Sequence, residues 1–105
     1  MSPSGTDPNQ GFTSLQVTKK ARVIAKPEPT YTESARKFGV EGTVVIRCVF
    51  SSSGEISDLQ VVKRLPHGLT EKALSAAREI KFIPATKDGR AVTMYIQLEY
   101  NFNLY

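Results

Sequence analysis

Residues 91–102, "AVTMYIQLEYNF", set Val92, Met94, Ile96, Leu98, Tyr100 and Phe102 in strict alternation with Thr93, Tyr95, Gln97, Glu99 and Asn101. A period of two held this long predicts an extended strand with one oily and one polar face, as in a sheet covered on one side only. It also fixes register, because a slip of one residue would turn the whole apolar set into water.

Two further strands can be read upstream. After Gly42, "TVVIRCVF" alternates Val44, Ile46, Cys48 and Phe50 with Thr43, Val45, Arg47 and Val49. The loop Ser51-Ser52-Ser53-Gly54 supplies a hairpin turn, and "EISDLQVVK" returns with Ile56, Leu59 and Val61 as its apolar positions. The three-residue step from Ile56 to Leu59 predicts a β-bulge. Two helices complete the pattern. Thr32 caps a short one over "ESARKF", ended by Gly39. Thr70 caps a second over "EKALSAAREIKF", with Leu69 and Leu74 as a staple, Leu74, Ala77 and Ile80 as its inward stripe, and Pro84 as its stop. Leu65-Pro66-His67-Gly68 reads as a loop and Lys87-Asp88-Gly89-Arg90 as a turn.

The expected fold is therefore α+β in the order αββαβ: a three-stranded antiparallel sheet with both helices on its apolar face. The second helix carries the chain across the first strand, giving the spatial order 2-1-3 and leaving the longest strand at an edge. Residues 1–20 are expected to be a flexible linker, because Ser, Gly, Pro, Asn and Thr surround a single Phe12 in residues 1–15. Residues 21–105 are expected to form the domain. Between Leu15 and Ala25 the pattern allows a short strand or a segment lying against the domain. Pro27 and Pro29 then hold Lys26 and Glu28 extended.

Little here supports catalysis. His67, the single histidine, sits in the Pro66–Gly68 turn without a nucleophile at a recognisable spacing. The serine run lacks the strand-turn-helix setting of a nucleophile elbow, and Gly54, Gly68 and Gly89 are isolated turn glycines. No His, Asp or Glu cluster has metal-ligand spacing, so neither a metal nor a cofactor is expected. Cys48, the single cysteine, shares a face with Val44, Ile46 and Phe50 and reads as core. The net charge of +4 belongs mainly to the lead-in, where Lys19, Lys20, Arg22, Lys26, Arg36 and Lys37 lie. The nearly neutral remainder argues against a nucleic-acid partner. No apolar run approaches the roughly 18–20 residues a membrane helix needs; Val44-Val45-Ile46, for one, is stopped by Arg47.

The long strand carries the functional expectation. Exposed edges are commonly blunted by proline, lysine or shortness, and residues 91–102 have none of these. Such an edge suits an added strand from another protein. Cover by the chain's own Val17–Ile24 is the alternative at the level of fold. Two alternatives stand at the level of function: self-association of copies through the last strand, and weak binding of an anionic polymer by the basic lead-in.

Several pieces, in one order, resemble a known family: Pro29-Thr30-Tyr31 ahead of the short helix, "VEGTVVIRCVF", Gly54-Glu55-Ile56, Leu65-Pro66 before the second helix, "AAREIKFIPA" and "DGRAV". Over roughly residues 27–102 the chain is similar to the C-terminal domain of TonB energy transducers. It departs from the family pattern at Thr32, where proline is frequent, and at Ile80, where tryptophan is.

The resemblance implies a periplasmic domain of a protein anchored in the Gram-negative inner membrane, with the anchor outside this sequence. It implies inner-membrane proton-driven motor proteins as partners through an N-terminal helix. It also implies recognition of the TonB box and plug region of outer-membrane transporters, which would energise uptake of iron complexes or vitamins. The box adds as a strand beside the last strand. Its contacts would then be Thr93, Tyr95, Gln97, Glu99 and Asn101, with Pro29, Thr30 and Tyr31 from the lead-in and a homodimer through the same strand as the competing use.

Overall fold

The computed structural model describes residues 11–13 and 16–104. Its elements run β1 (Gly11–Phe12), β2 (Arg22–Ala25), α1 (Glu33–Lys37), β3 (Gly42–Phe50), β4 (Ile56–Lys63), α2 (Leu69–Arg78), β5 (Lys81–Ile83), β6 (Ala85–Lys87) and β7 (Arg90–Phe102). The three long strands lie in the expected order, β7-β3-β4, with antiparallel pairing throughout. The expected strand count needs correction. The main sheet has five strands, because β1 joins the outer side of β7 in parallel and β6 forms a hairpin with its first residues. A separate ribbon pairs β2 with β5.

Alternation places the core where the sequence puts it. Val44, Ile46, Cys48 and Phe50 from β3 and Met94, Leu98, Tyr100 and Phe102 from β7 are buried. Leu69, Ala73, Ala76 and Ala77 of α2 cover most of them, with Ala35 of α1. Leu59, Leu74 and Ile96 are only half-buried and flank this cluster. Thr32 caps α1 by accepting from Ala35 N at 3.0 Å. The bulge lies at Asp58, whose φ is 57°, and the β3–β4 register shifts between Arg47 and Val49.

The second helix starts and ends earlier than expected. Gly68, at φ 81°, is its N-cap. Thr70 instead pins the incoming loop, accepting from Leu65 N at 2.8 Å and donating to Leu65 O at 2.9 Å. Leu69 therefore lies inside the helix rather than preceding its cap as one half of a staple. After Arg78 the chain becomes β5, paired with β2, and Phe82 stacks on Phe50 with ring centroids 4.1 Å apart.

Burial pushes the Cys48 thiol from 9.0 up to about 11. It likewise raises the Tyr100 phenol from 10.0 to about 12, with Cys48 and Glu28 adding to the rise. The Tyr100 hydroxyl has no hydrogen-bond partner among the described residues. Both groups stay neutral in the fold to a higher pH than in the unfolded chain. Their contribution to stability is complete below about pH 9 and is lost as pH rises through about 11 and 12. Denaturation midpoints measured from pH 7 to 11 are expected to fall above pH 9, and Cys48→Ala should flatten the first part of that fall. An unchanged profile in Cys48→Ala would show that this thiol has no part in it.

Candidate functional site

Strand β7 is 13 residues long and is zipped along one side to β3, from Gly42 opposite Phe102 to Phe50 opposite Met94, without a register break. On its other side Thr93 and Met94 pair with Gly11 and Phe12 of β1, and Arg90–Val92, which lie beyond the β3 ladder, pair with β6. From Tyr95 to Phe102 no strand among the described residues lies against it. At strand rise this open stretch is about 27 Å long. The sheet's opposite edge is built differently. There β4 is interrupted by two register shifts against β3 and by the left-handed Asp58, which breaks a continuous ladder.

Segment Val17–Ile24 does not cover the open stretch. Thr18 N and Lys19 N both donate to Thr86 O, at 2.8 and 3.0 Å, and Arg22–Ala25 pair with β5. Part of the stretch expected as linker nevertheless touches the domain. Phe12 is buried beneath Lys87, whose ammonium lies 5.7 Å from its ring centroid. Gln16–Lys19 also lie along β6 and its turn, with Val17 half-buried, Thr86 N donating to Lys19 O at 2.9 Å and Asp88 N to Thr18 Oγ1 at 2.9 Å. Residues 1–10, 14 and 15 of the expected linker fall outside the described residues. Among the described residues, none before Ala21 belongs to the main core cluster. We propose, accordingly, that residues 21–105 fold alone. A chain trimmed to begin at residue 21 is expected to fold at a cost of about 3–6 kcal/mol, the worth of one buried phenylalanine and of the hydrogen bonds that Thr18 and Lys19 make with Thr86 and Asp88. Loss of the cooperative unfolding transition would show that the arm is structural.

The residues expected to meet a partner are not equivalent. Tyr95 is 56% exposed, and Gln97, Glu99 and Asn101 follow it along the bare face. Asn101 Oδ1 accepts from Thr43 Oγ1 at 2.7 Å, which holds its amide in place. Arg47 lies opposite Gln97 on one side and Gln60 on the other. With Val49, Asp58 and Tyr95 these residues line a shallow depression of about 430 Å³. Thr93 is a correction: it is buried, paired with Gly11, and its hydroxyl accepts from Ser52 N at 3.2 Å. It does not offer a free polar contact.

The lead-in lies where the open stretch ends. Tyr31 is half-buried, its ring edge-on to Phe102 at 5.6 Å and its hydroxyl donating to Val40 O at 2.9 Å. Desolvation and the Glu41 carboxylate raise its phenol pKa, against the opposing effect of Arg36, which stacks 5.6 Å above the ring. Tyr31 therefore anchors the lead-in. Pro29 is half-buried and Thr30 exposed between that anchor and Lys26. Lys26 Nζ donates to Glu99 O at 3.1 Å and sits 4.7 Å above the Tyr100 ring. Sequence reasoning named Lys26 only as part of a basic stretch. The prolines that follow it signal extended backbone, but not where the ammonium lands.

An antiparallel ladder turns alternate residues toward each neighbour. The Glu99 carbonyl is reached by a lead-in side chain, as an outward-turned group can be. With the two-residue alternation, Tyr95, Gln97, Glu99 and Asn101 then carry the outward N–H and C=O groups.

The family described as Gram-negative bacterial TonB protein C-terminal matches residues 27–104. Protein TonB of Vibrio cholerae is 34% identical over 102 residues, covering 94% of this chain and 42% of that protein. Protein TonB of Klebsiella pneumoniae is 27% identical over 103 residues, covering 94% and 42%. The chain thus spans less than half the length of these curated relatives. The solution NMR structure of the Pseudomonas aeruginosa TonB CTD superposes with a TM-score of 0.66 at 23% identity, over 81% of this chain and 87% of that one. That likeness is one of α+β fold.

Proposed function

The chain belongs to the Gram-negative bacterial TonB C-terminal family, and from that premise we propose that β7 receives an extended segment of an outer-membrane transporter, its TonB box, as an added strand. In this reading the domain works in the periplasm as the gripping end of an energy transducer. Anchoring in the inner membrane and coupling to a proton-driven motor belong to regions outside these residues. The cargo would be an iron complex, a vitamin or a similar nutrient.

One observation carries the reading. The outer edge of β7 already takes a strand, β1, at Thr93 and Met94, and beyond it the edge continues without a strand partner among the described residues. Unpaired backbone groups along a regular edge supply affinity, and the exposed side chains of Tyr95, Gln97 and Glu99 add selection.

Titration of isotope-labelled protein with a TonB-box peptide tests the proposal. Amide shifts are expected from Tyr95 to Phe102, with a smaller response at Lys26–Tyr31 and an affinity near micromolar, since the peptide must be ordered on docking. Shifts confined to β4 would refute strand addition at β7. The same open edge also favours pairing between two copies. A sedimentation coefficient that rises with concentration, and is reset by peptide, would place self-association on this strand.

A further inference from the structure

Lys26 is the side chain that the open edge holds in place of a partner. Its ammonium is bound by a carbonyl and a ring face, Glu99 O and Tyr100, and by no carboxylate among the described residues, although Glu28 stands close enough to Tyr100 to raise its phenol. Pro27 restricts the backbone of Lys26 to extended geometry, so the side chain leaves a stiff support that Tyr31 fixes five residues later. Resting there, the ammonium satisfies one outward acceptor of an otherwise unguarded edge. Lysine is the residue commonly used to discourage edge pairing. In β7 that lysine comes from the lead-in instead of the strand.

A strand added beside β7 needs the Glu99 carbonyl for one of its own N–H groups. The two donors compete for one site, and the incoming backbone displaces the ammonium. The displaced group has little distance to travel, because an added strand lies about 4.8 Å farther out. A lysine tethered at Pro27 then borders the guest on the face that carries Tyr100. It has lost a carbonyl acceptor and regains most from a charge-assisted hydrogen bond to a carboxylate.

On the strand-addition reading above, we propose that Lys26 is a specificity-determining residue: it yields Glu99 to the guest strand and then selects an acidic guest side chain on the Tyr100 face. The partner it fits is an extended peptide with one carboxylate placed near the rung at Glu99. Glutamine at residue 26 would leave the edge pairing intact but remove this preference.

The test uses the full chain and a neutral ten-residue peptide rich in threonine and valine, with variants carrying one glutamate at each position in turn. Affinities come from amide shifts at Tyr95–Phe102, at low and at physiological salt. Glutamate at one position is expected to tighten binding about threefold to fivefold at low salt, the range of an exposed ion pair, and less with salt. Lys26→Gln should abolish that gain while binding the neutral peptide at least as well. Lys26→Glu should transfer the gain to a lysine-bearing peptide. A glutamate gain that survives Lys26→Gln, or no gain at any position while the edge amides still shift, overturns the role of Lys26 alone. If none of the peptides shifts the edge amides, strand addition falls, and this inference falls with it.

Discussion

Phe50→Ala is expected to cost about 3–5 kcal/mol in chemical denaturation. Phe50 is fully buried at the end of β3, opposite Met94 on one side and Ile56 on the other. Its ring stacks on Phe82 at 4.1 Å with an interplanar angle of 23°, so it joins the main sheet to the β2–β5 ribbon. Truncation removes that stack and leaves a void that the surrounding β3, β7 and β5 side chains cannot close without moving backbone. A domain of this size has only about 5–15 kcal/mol in hand, so the loss is a large share. Amide exchange at Arg22–Ala25 should quicken together with that of the core, because Phe82 sits directly opposite Val23. A cost under about 1 kcal/mol would show that the stack is not what joins the two sheets.

The same stack explains what the sequence did not disclose. Long alternations are local signals, and they place β3, β4 and β7, their order, and the bulge at Asp58. Three-residue strands carry no usable period. Lys81-Phe82-Ile83 follows an alanine-rich helix and reads as its continuation, yet pairing with β2 and stacking on Phe50 make it β5. Both contacts are distant in sequence. For β6 a signal was present: Asp88 and Gly89, at φ 52° and 83°, form a two-residue hairpin turn that requires a strand on each side. Phe12 sits among polar residues that read as linker, so neither β1 nor its pairing with β7 was legible. The exposed face of Tyr95, Gln97 and Glu99 followed from alternation alone. Thr93 did not, because β1 and the backbone of Ser52 close over it. The reach of Lys26 to Glu99 spans 73 positions, and no local pattern encodes it.

Binding of an extended guest should depend on backbone N–H groups at every second residue. With Tyr95, Gln97, Glu99 and Asn101 turned outward, the edge offers acceptors two residues apart, and only alternate guest residues can donate to them. Replacing a donating residue by proline, or methylating its nitrogen, removes one ladder bond and strands a carbonyl that the guest has shielded from water. That combination costs about 1–3 kcal/mol, which is about fivefold to 150-fold in affinity. The same change at an intervening residue faces solvent and should matter far less when made by N-methylation, which alters backbone shape less than proline. A scan along the guest is therefore expected to give a two-residue saw-tooth, with the affected amides confined to Tyr95–Phe102. Trimming the chain to residue 21 should extend the response to Thr93 and Met94, since β1 no longer holds them. A flat scan would show that side chains alone hold the guest, and β7 would then be a surface that the partner touches rather than a sheet it joins.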